Sequence, residues 1–516
     1  MKRRDFVLSV AAAGGSAYAA MTAMGLLAEP ASARTNRLEL RRPSRRVRVV
    51  ILGAGLAGMT VAYELGKVGG YDCVILEARS RSGGRCWTVR GGDEIVETDG
   101  TRQTAVFTRG QYFNPGPARI PQHHITLDYC RELGVPLEVF TNLNREQYYF
   151  NENAGALSST KVRAREAIHD MYGYISELLA KAINQDALDA ALTAEDQERM
   201  IAFLQTWGGL NADLLYTGTS RRGYSVPRGG GNNPGTVSTP YDLTSLLQLG
   251  FAGYLSFEAG YDQQMIMFQP VGGMDRIAQA FQKKVGRLIR FESEVREIRK
   301  LPENSGVRIV YADRNGELRE EIADYCICTI PLSVLKSIPA DFSPEMAQAI
   351  ASVPYASTGK GALQFNRRFW EEDENLYGGI TSTNQPITTI WYPSYGYGSR
   401  RGVVVGYYNF GSNADQFGNL PPAERQALNL QQGAKIHPQY NVHFENGITV
   451  YWPKVPYNLG GWATWTSQTR SLYYPTLIQP DGRIFLCGEH VSYIGSWMAG
   501  AFESARYVLN NLSQLG

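Results

Sequence analysis

The sequence predicts an α/β protein with a Rossmann-like parallel layer, a mixed sheet and a helical insertion between them. Three observations predict it. Val47 to Leu52 is a short, mainly apolar run, followed by a glycine-rich turn, the helix-like stretch Met59 to Val68 and a second apolar run, Cys73 to Leu76. Runs that short and that apolar suit strands buried on both faces of a parallel sheet, so this is a β-α-β unit. Arg163 to Ile183 and Ala187 to Trp207 switch to helical periodicity with many charges, which reads as an inserted helical region. From Gly361 to Tyr408 apolar and polar residues alternate between Gly and Pro turns, the pattern of a mixed sheet.

The remaining elements follow in order. At 516 residues the chain is long enough for two or three domains. The first 33 residues read as a targeting segment: Arg3 and Arg4, an Ala/Gly-rich apolar run to about Leu27, and Ala31-Ser32-Ala33 as a small-residue cleavage site. The pattern resembles a twin-arginine signal and predicts a periplasmic or secreted protein. A stable membrane anchor needs about 20 strongly apolar residues, and this run is too rich in Ala, Gly, Ser and Thr. Arg41, Arg42, Arg45, Arg46 and Arg48 form a solvated basic linker, and a net charge of +2 points to no nucleic acid partner. A loop rich in Gly, Pro and Asn runs from Gly223 to Ser238. Strand signals return at Leu288 to Ile298, Val307 to Tyr311 and Tyr325 to Ile330, and a last buried strand, Arg483 to Cys487, precedes a final helix. Cys73, Cys86, Cys130, Cys326, Cys328 and Cys487 read as small buried hydrophobes; Cys326 and Cys328 share one strand face. The six histidines are scattered along the chain, so no metal site is expected.

Gly53-Ala54-Gly55-Leu56-Ala57-Gly58 is a G-x-G-x-x-G turn in the right context, between a strand and a helix. Gly53 permits the tight turn, Gly55 lets backbone approach a pyrophosphate, and Gly58 lets helix and strand pack closely. The helix N-terminus offers free N–H groups to the diphosphate. Glu77, 24 residues after Gly53, is placed for the adenosine ribose hydroxyls and would repel a 2′-phosphate.

The next segment narrows the dinucleotide. Glu77-Ala78-Arg79-Ser80-Arg81-Ser82-Gly83-Gly84-Arg85 resembles the E-A-R-x-R-x-G-G-R signature of the flavin amine oxidase superfamily. Arg483-Ile484-Phe485-Leu486-Cys487-Gly488-Glu489-His490 resembles that family's second flavin-binding strand, with Glu489 on the ribityl hydroxyls. Ser496-Trp497-Met498-Ala499-Gly500-Ala501 resembles the turn into the helix that faces the flavin ring, and Val295 matches a backbone position that meets the adenine. The resemblance spans about residues 47 to 516 and implies FAD bound in a domain of the glutathione-reductase type. It implies FAD-binding segments 47–95, 263–345 and 480–516, a mixed-sheet substrate domain from 96–158 and 346–479, and a helical domain 159–262. A homodimer is implied by the same resemblance. Monoamine oxidases attach FAD to a cysteine after a Gly-Gly pair; here Gly460-Gly461 is followed by Trp462, so the flavin is expected to be non-covalent.

Gly116-Pro117-Ala118-Arg119 resembles the G-P-M-R segment of L-amino acid oxidases, in which the arginine forks onto the substrate carboxylate. Tyr408 matches the tyrosine that assists it. A structural ion pair and a core tyrosine are the competing readings. Gly359-Lys360-Gly361 resembles the catalytic lysine segment, whose lysine holds a water against flavin N5; a surface lysine is the alternative. Trp462 and Trp497 match the pair that flanks the reacting amine, with Ser496 beside them, and burial between them would favour the neutral amine; plain packing is the alternative.

The resemblance therefore implies an L-amino acid oxidase. The substrates are an amino acid and O2, hydride passes to flavin N5, and the products are a 2-oxo acid, ammonia and hydrogen peroxide. Three alternatives remain open: a monoamine or polyamine oxidase or dehydrogenase, an amino acid 2-monooxygenase, and a scaffold that keeps FAD for stability.

Overall fold

The structure is a computed structural model and describes residues 38–188 and 192–515. The twin-arginine segment expected at the N-terminus lies outside the described residues.

A five-stranded parallel sheet forms the first layer, in the order Ile289–Arg290, Tyr71–Leu76, Val47–Leu52, Tyr325–Cys328, Ile484–Leu486. Its central strand explains the apolar run, whose one charged residue, Arg48, is exposed near the strand's start. Val47, Val49 and Ile51 face a cluster built on the helices Leu56–Val68, Asp275–Val285 and Met498–Leu515. Val50 and Leu52 face the opposite cluster, with Val295, Ile298, Val307 and Ile309. Both faces are covered, so neither can be polar. The layer is stitched from three distant parts of the chain.

The predicted strand Leu288 to Ile298 is in fact two. Ile289–Arg290 joins the parallel sheet, while Glu294–Lys300 begins a three-stranded antiparallel sheet with Val307–Ala312 and Leu318–Ala323. Glu292 between them sits at φ 54°, a left-handed bend that periodicity cannot reveal. The helix expected from Ala187 spans Ala194–Gly208 instead, begun by Thr193, whose side chain accepts from the Asp196 N–H. Cys326 and Cys328 share a face as expected, and all six cysteines are buried and free.

The second layer is a seven-stranded mixed sheet in the order Phe444–Tyr451, Thr358–Phe365, Gly402–Phe410, Thr389–Trp391, Ile380–Thr383, Tyr148–Phe150, Val162–Arg163. The helices Ala164–Asn184, Ala194–Gly208, Leu243–Leu249 and Ala252–Glu258 form the insertion. The Gly223 to Ser238 loop folds as a small hairpin, Tyr224–Val226 with Thr236–Val237. No helix among the described residues is long and apolar enough to cross a membrane.

Candidate active site

The two glycine turns meet. Gly83 N donates to Ala54 O at 2.8 Å, and Gly55 and Gly83 form a parallel bridge. Gly53 sits at φ 101°, where a Cβ would lie 2.7 Å from Thr329 Oγ1; a Cβ on Gly58 would lie 2.1 Å from Gly53 O. These glycines are demanded by conformation and by close helix–strand approach. Gly55 differs: a Cβ there meets no atom within 4 Å, and the residue lines a cavity of about 480 Å³. Its missing side chain leaves cavity, not packing, free. No side chain caps the helix Leu56–Val68 and its first turn has no acid, so its N–H groups are open to an anion.

The cavity wall gathers most of the predicted cofactor residues: Gly53, Gly55, Leu56, Ala57, Glu77, Ala78, Arg79, Gly83, Gly84, Arg85, Gly116, Pro117, Val295, Gly488, Glu489, Trp497 and Met498, together with Tyr408, Trp462 and Ser496. Ala54, Gly58, Ala118, Arg119, Lys360 and Ala499 are not on that wall. Ala54 and Gly58 stand behind it and shape the turn. Ala499, fully buried, seats the final helix.

The charged residues tie the three segments together. Glu77 accepts from Ala54 N at 2.7 Å and from Arg79 N at 2.9 Å, so the acid expected at the ribose also clamps the glycine turn. Arg85 donates to Glu489 at 3.0 Å and to Gly461 O at 2.8 Å. Glu489 Oε1 accepts from the N–H of Ser496, which sits at φ 63° ahead of the final helix. Arg79 bonds only neutral oxygens, Pro456 O and Asn458 Oδ1. Arg81 likewise reaches Gly84 O and covers the Trp87 ring. Burial lowers the pKa of both, that of Arg81 to about 9. Among the described residues neither guanidinium has a carboxylate hydrogen-bond partner. Arg79 lines the cavity and Arg81 does not. A desolvated guanidinium with an uncapped helix N-terminus and a side-chain-free glycine on the same cavity fits a diphosphate.

Lys360 is not a surface lysine: it is 2% exposed. Strand register sets it directly opposite Tyr408, with Nζ 4.3 Å from that ring and 5.3 Å from the Trp391 ring. Nζ donates to Gly116 O at 2.6 Å, inside the segment that carries Arg119. Its flanking glycine has a plain cause: a Cβ on Gly361 would fall 2.2 Å from the Tyr407 ring. Burial, with the charge of Arg119 second, lowers the Lys360 pKa to about 7.

Arg119 is buried, with Nη2 donating to Gln263 Oε1 at 3.1 Å and Nη1 without a partner among the described residues. Its guanidinium lies 4.4 Å from the Trp391 ring and 5.9 Å from the Trp497 ring. Burial lowers its pKa to about 10. Trp391 meets Tyr408 edge-on at 5.3 Å, Tyr408 meets Phe410 at 4.5 Å, and Phe410 meets Trp462 at 6.1 Å. Trp462 and Trp497 both line the cavity.

Trp391 and Gln263 escaped the sequence reading. Neither sits in a motif; both reach Arg119 only through the fold. The histidines also require a correction. The adjacent His123 and His124 come together with Asp262, which is distant in sequence.

The profile of the Flavin containing amine oxidoreductase family matches residues 56–508. An L-amino-acid oxidase of Demansia vestigiata is 27% identical over 481 residues, covering 90% of this chain and 86% of that protein. One of Pseudechis australis is 26% identical over 476 residues, covering 90% and 86%. Among solved structures, cyclohexylamine oxidase from Brevibacterium oxydans superposes with a TM-score of 0.61 at 18% identity, covering 91% of this chain and 99% of that one. Putrescine oxidase bound to putrescine gives 0.59 at 18% identity, covering 90% and 98%. At that identity these two speak for the fold alone.

Proposed function

The chain belongs to the flavin containing amine oxidoreductase family, and from that premise we propose that it is an FAD-dependent L-amino acid oxidase with non-covalently held FAD.

The observation that carries this reading is Arg119. A buried guanidinium with one nitrogen unpartnered and the other on a neutral amide is expensive to keep. A substrate carboxylate would supply the missing acceptor and the missing charge. A simple amine would instead bring a second cation toward Arg119 and Lys360, which disfavours the amine oxidase alternative. The curated relatives named L-amino-acid oxidase support the same reading at modest identity.

When bound, FAD supplies the two-electron acceptor and returns the electrons to dioxygen. The chain's own residues do the rest. Arg119 fixes the carboxylate and Tyr408 stands beside it. Trp462 and Trp497 exclude water from the amine and favour its uncharged form. Lys360, hung from Gly116 O and titrating near neutrality, holds or takes a proton at Nζ. Amino acid, O2 and water give 2-oxo acid, ammonia and hydrogen peroxide. The non-covalent attachment is supported by the cysteines: Cys86 lines the cavity, but its thiol donates to Met274 O at 3.1 Å. Export by a twin-arginine route is part of the proposal and rests on Arg3, Arg4 and Ala31-Ser32-Ala33.

The test is anaerobic mixing of the yellow holoenzyme with L-amino acids, their D-enantiomers and simple amines. Bleaching by L-amino acids, lost in Arg119→Ala, is expected. Bleaching by amines and by no amino acid would overturn the proposal.

A further inference from the structure

We propose that His123, His124 and Asp262 form a binding site for a divalent cation of the zinc type, one layer outside Arg119. Neighbours in sequence, the two histidines lie on the loop that leaves Arg119. Their rings stand 4.7 Å apart at 83°. The Nε2 of each lies 2.9 Å from the same oxygen, Asp262 Oδ1. Three ligand atoms, one from each residue, fall within 4.8 Å of one another.

Two further observations point to a cation. Among the described residues, Asp262 is paired with neither lysine nor arginine; its only ion-pair partners are these two rings. His124 is 5% exposed, with its Nδ1 unpartnered. A buried imidazole aimed at a carboxylate shared with a second imidazole is a converging donor set, not a packing contact. Tetrahedral zinc with bonds of about 2.0–2.2 Å needs ligand atoms roughly 3.3 Å apart. The two 2.9 Å nitrogen–oxygen separations would open by a few tenths of an ångström. The two imidazole nitrogens, which lie within 4.8 Å of each other, would draw together by a small rotation of the exposed His123 ring. Two imidazoles and one carboxylate suit Zn2+; Ca2+ and Mg2+ take mainly oxygen ligands in larger number. The half-exposed side of His123 and Asp262 leaves the fourth position to water. On binding, each neutral ring would carry its proton on Nδ1 instead of Nε2, so the Gln264 amide, whose Nε2 lies 3.3 Å from His123 Nδ1, would have to turn away or present its oxygen to that ring.

Such a cation would act on the site beneath it. The His124 ring meets Trp497 edge-on at 5.2 Å, and Asp262 precedes Gln263, which holds Arg119. The cation would lock the loop at 121–124 to the segment at 262–264 and so restrict movement over Arg119. This goes beyond the oxidase proposal and does not need it.

The test is calorimetric titration of chelator-treated, dialysed holoenzyme with ZnCl2 at neutral pH, repeated with Co2+ read by its visible absorption. One equivalent is expected. His123→Ala and Asp262→Asn should each weaken uptake by at least about 10-fold and abolish the Co2+ bands. Thermal unfolding of each variant checks that it is folded, and the more exposed His123 makes its variant the safer of the two. No saturable uptake up to millimolar Zn2+, or equal affinity in the wild type and both folded variants, would overturn the proposal.

Discussion

Lys360 and Tyr408 face each other across adjacent antiparallel strands, the ammonium 4.3 Å from the ring centroid. That pairing, with Gly116 O on the other side, takes the lysine out of water and brings its pKa to about 7.

A depressed lysine pKa makes stability depend on pH with a definite sign. Between about 7 folded and 10.5 unfolded, the unfolded chain binds more protons, so stability rises with pH through that interval and is flat below it. Wild-type protein should therefore gain Tm relative to Lys360→Met as pH climbs from 7 to 9, with no change in the difference below 7. Melting curves of both proteins across that range check this.

The same lysine should set a pH dependence in the reductive half-reaction. Anaerobic bleaching rates should show an inflection near pH 7 in the free enzyme, absent in Lys360→Met. An unchanged profile in the variant would assign the inflection to another group.

Arg119 sets function against stability. Arg119→Met should lower kcat/KM for L-amino acids by about 30- to 1,000-fold, the usual cost of about 2–4 kcal/mol for losing a buried charged partner. It should also raise Tm in the absence of substrate, because an uncompensated buried cation is gone. Steady-state assays and substrate-free melts measure the two effects.

Gly58→Val should yield folded but colourless protein or none at all, because even a Cβ there lies 2.1 Å from Gly53 O. Flavin content after purification reads the outcome.

In the helical region, Asp170 accepts from Arg222 Nε at 2.8 Å, Tyr216 OH at 2.6 Å and Tyr241 N at 2.9 Å, with Asp170, Arg222 and Tyr216 buried. Asp170→Ala should cost about 3–5 kcal/mol by stranding Arg222. Chemical denaturation followed by helix content measures the loss.

Much of the dinucleotide layer could be read directly from the residues. Val47–Leu52, Gly53 to Gly58 and Glu77 to Arg85 are contiguous, and their chemistry is local: a buried strand, a turn that needs glycine, a helix end that needs an anion. Lys360 and Arg119 stand out in the sequence only by the segments around them, and their burial is not readable there. Lys360 in isolation looks like any solvated lysine; only the pairing of Thr358–Phe365 with Gly402–Phe410 places it on an aromatic ring.

What the sequence by itself determined is therefore the set of short-range demands: which runs are buried, where glycine is required, and where a helix begins straight after a glycine turn. The tertiary structure alone decided the long-range meetings: Arg85 with Glu489, Trp391 and Gln263 with Arg119, and His123 and His124 with Asp262. The physical reason is that turn geometry and helix ends act over a few residues, whereas desolvation and charge pairing depend on what the rest of the chain packs against.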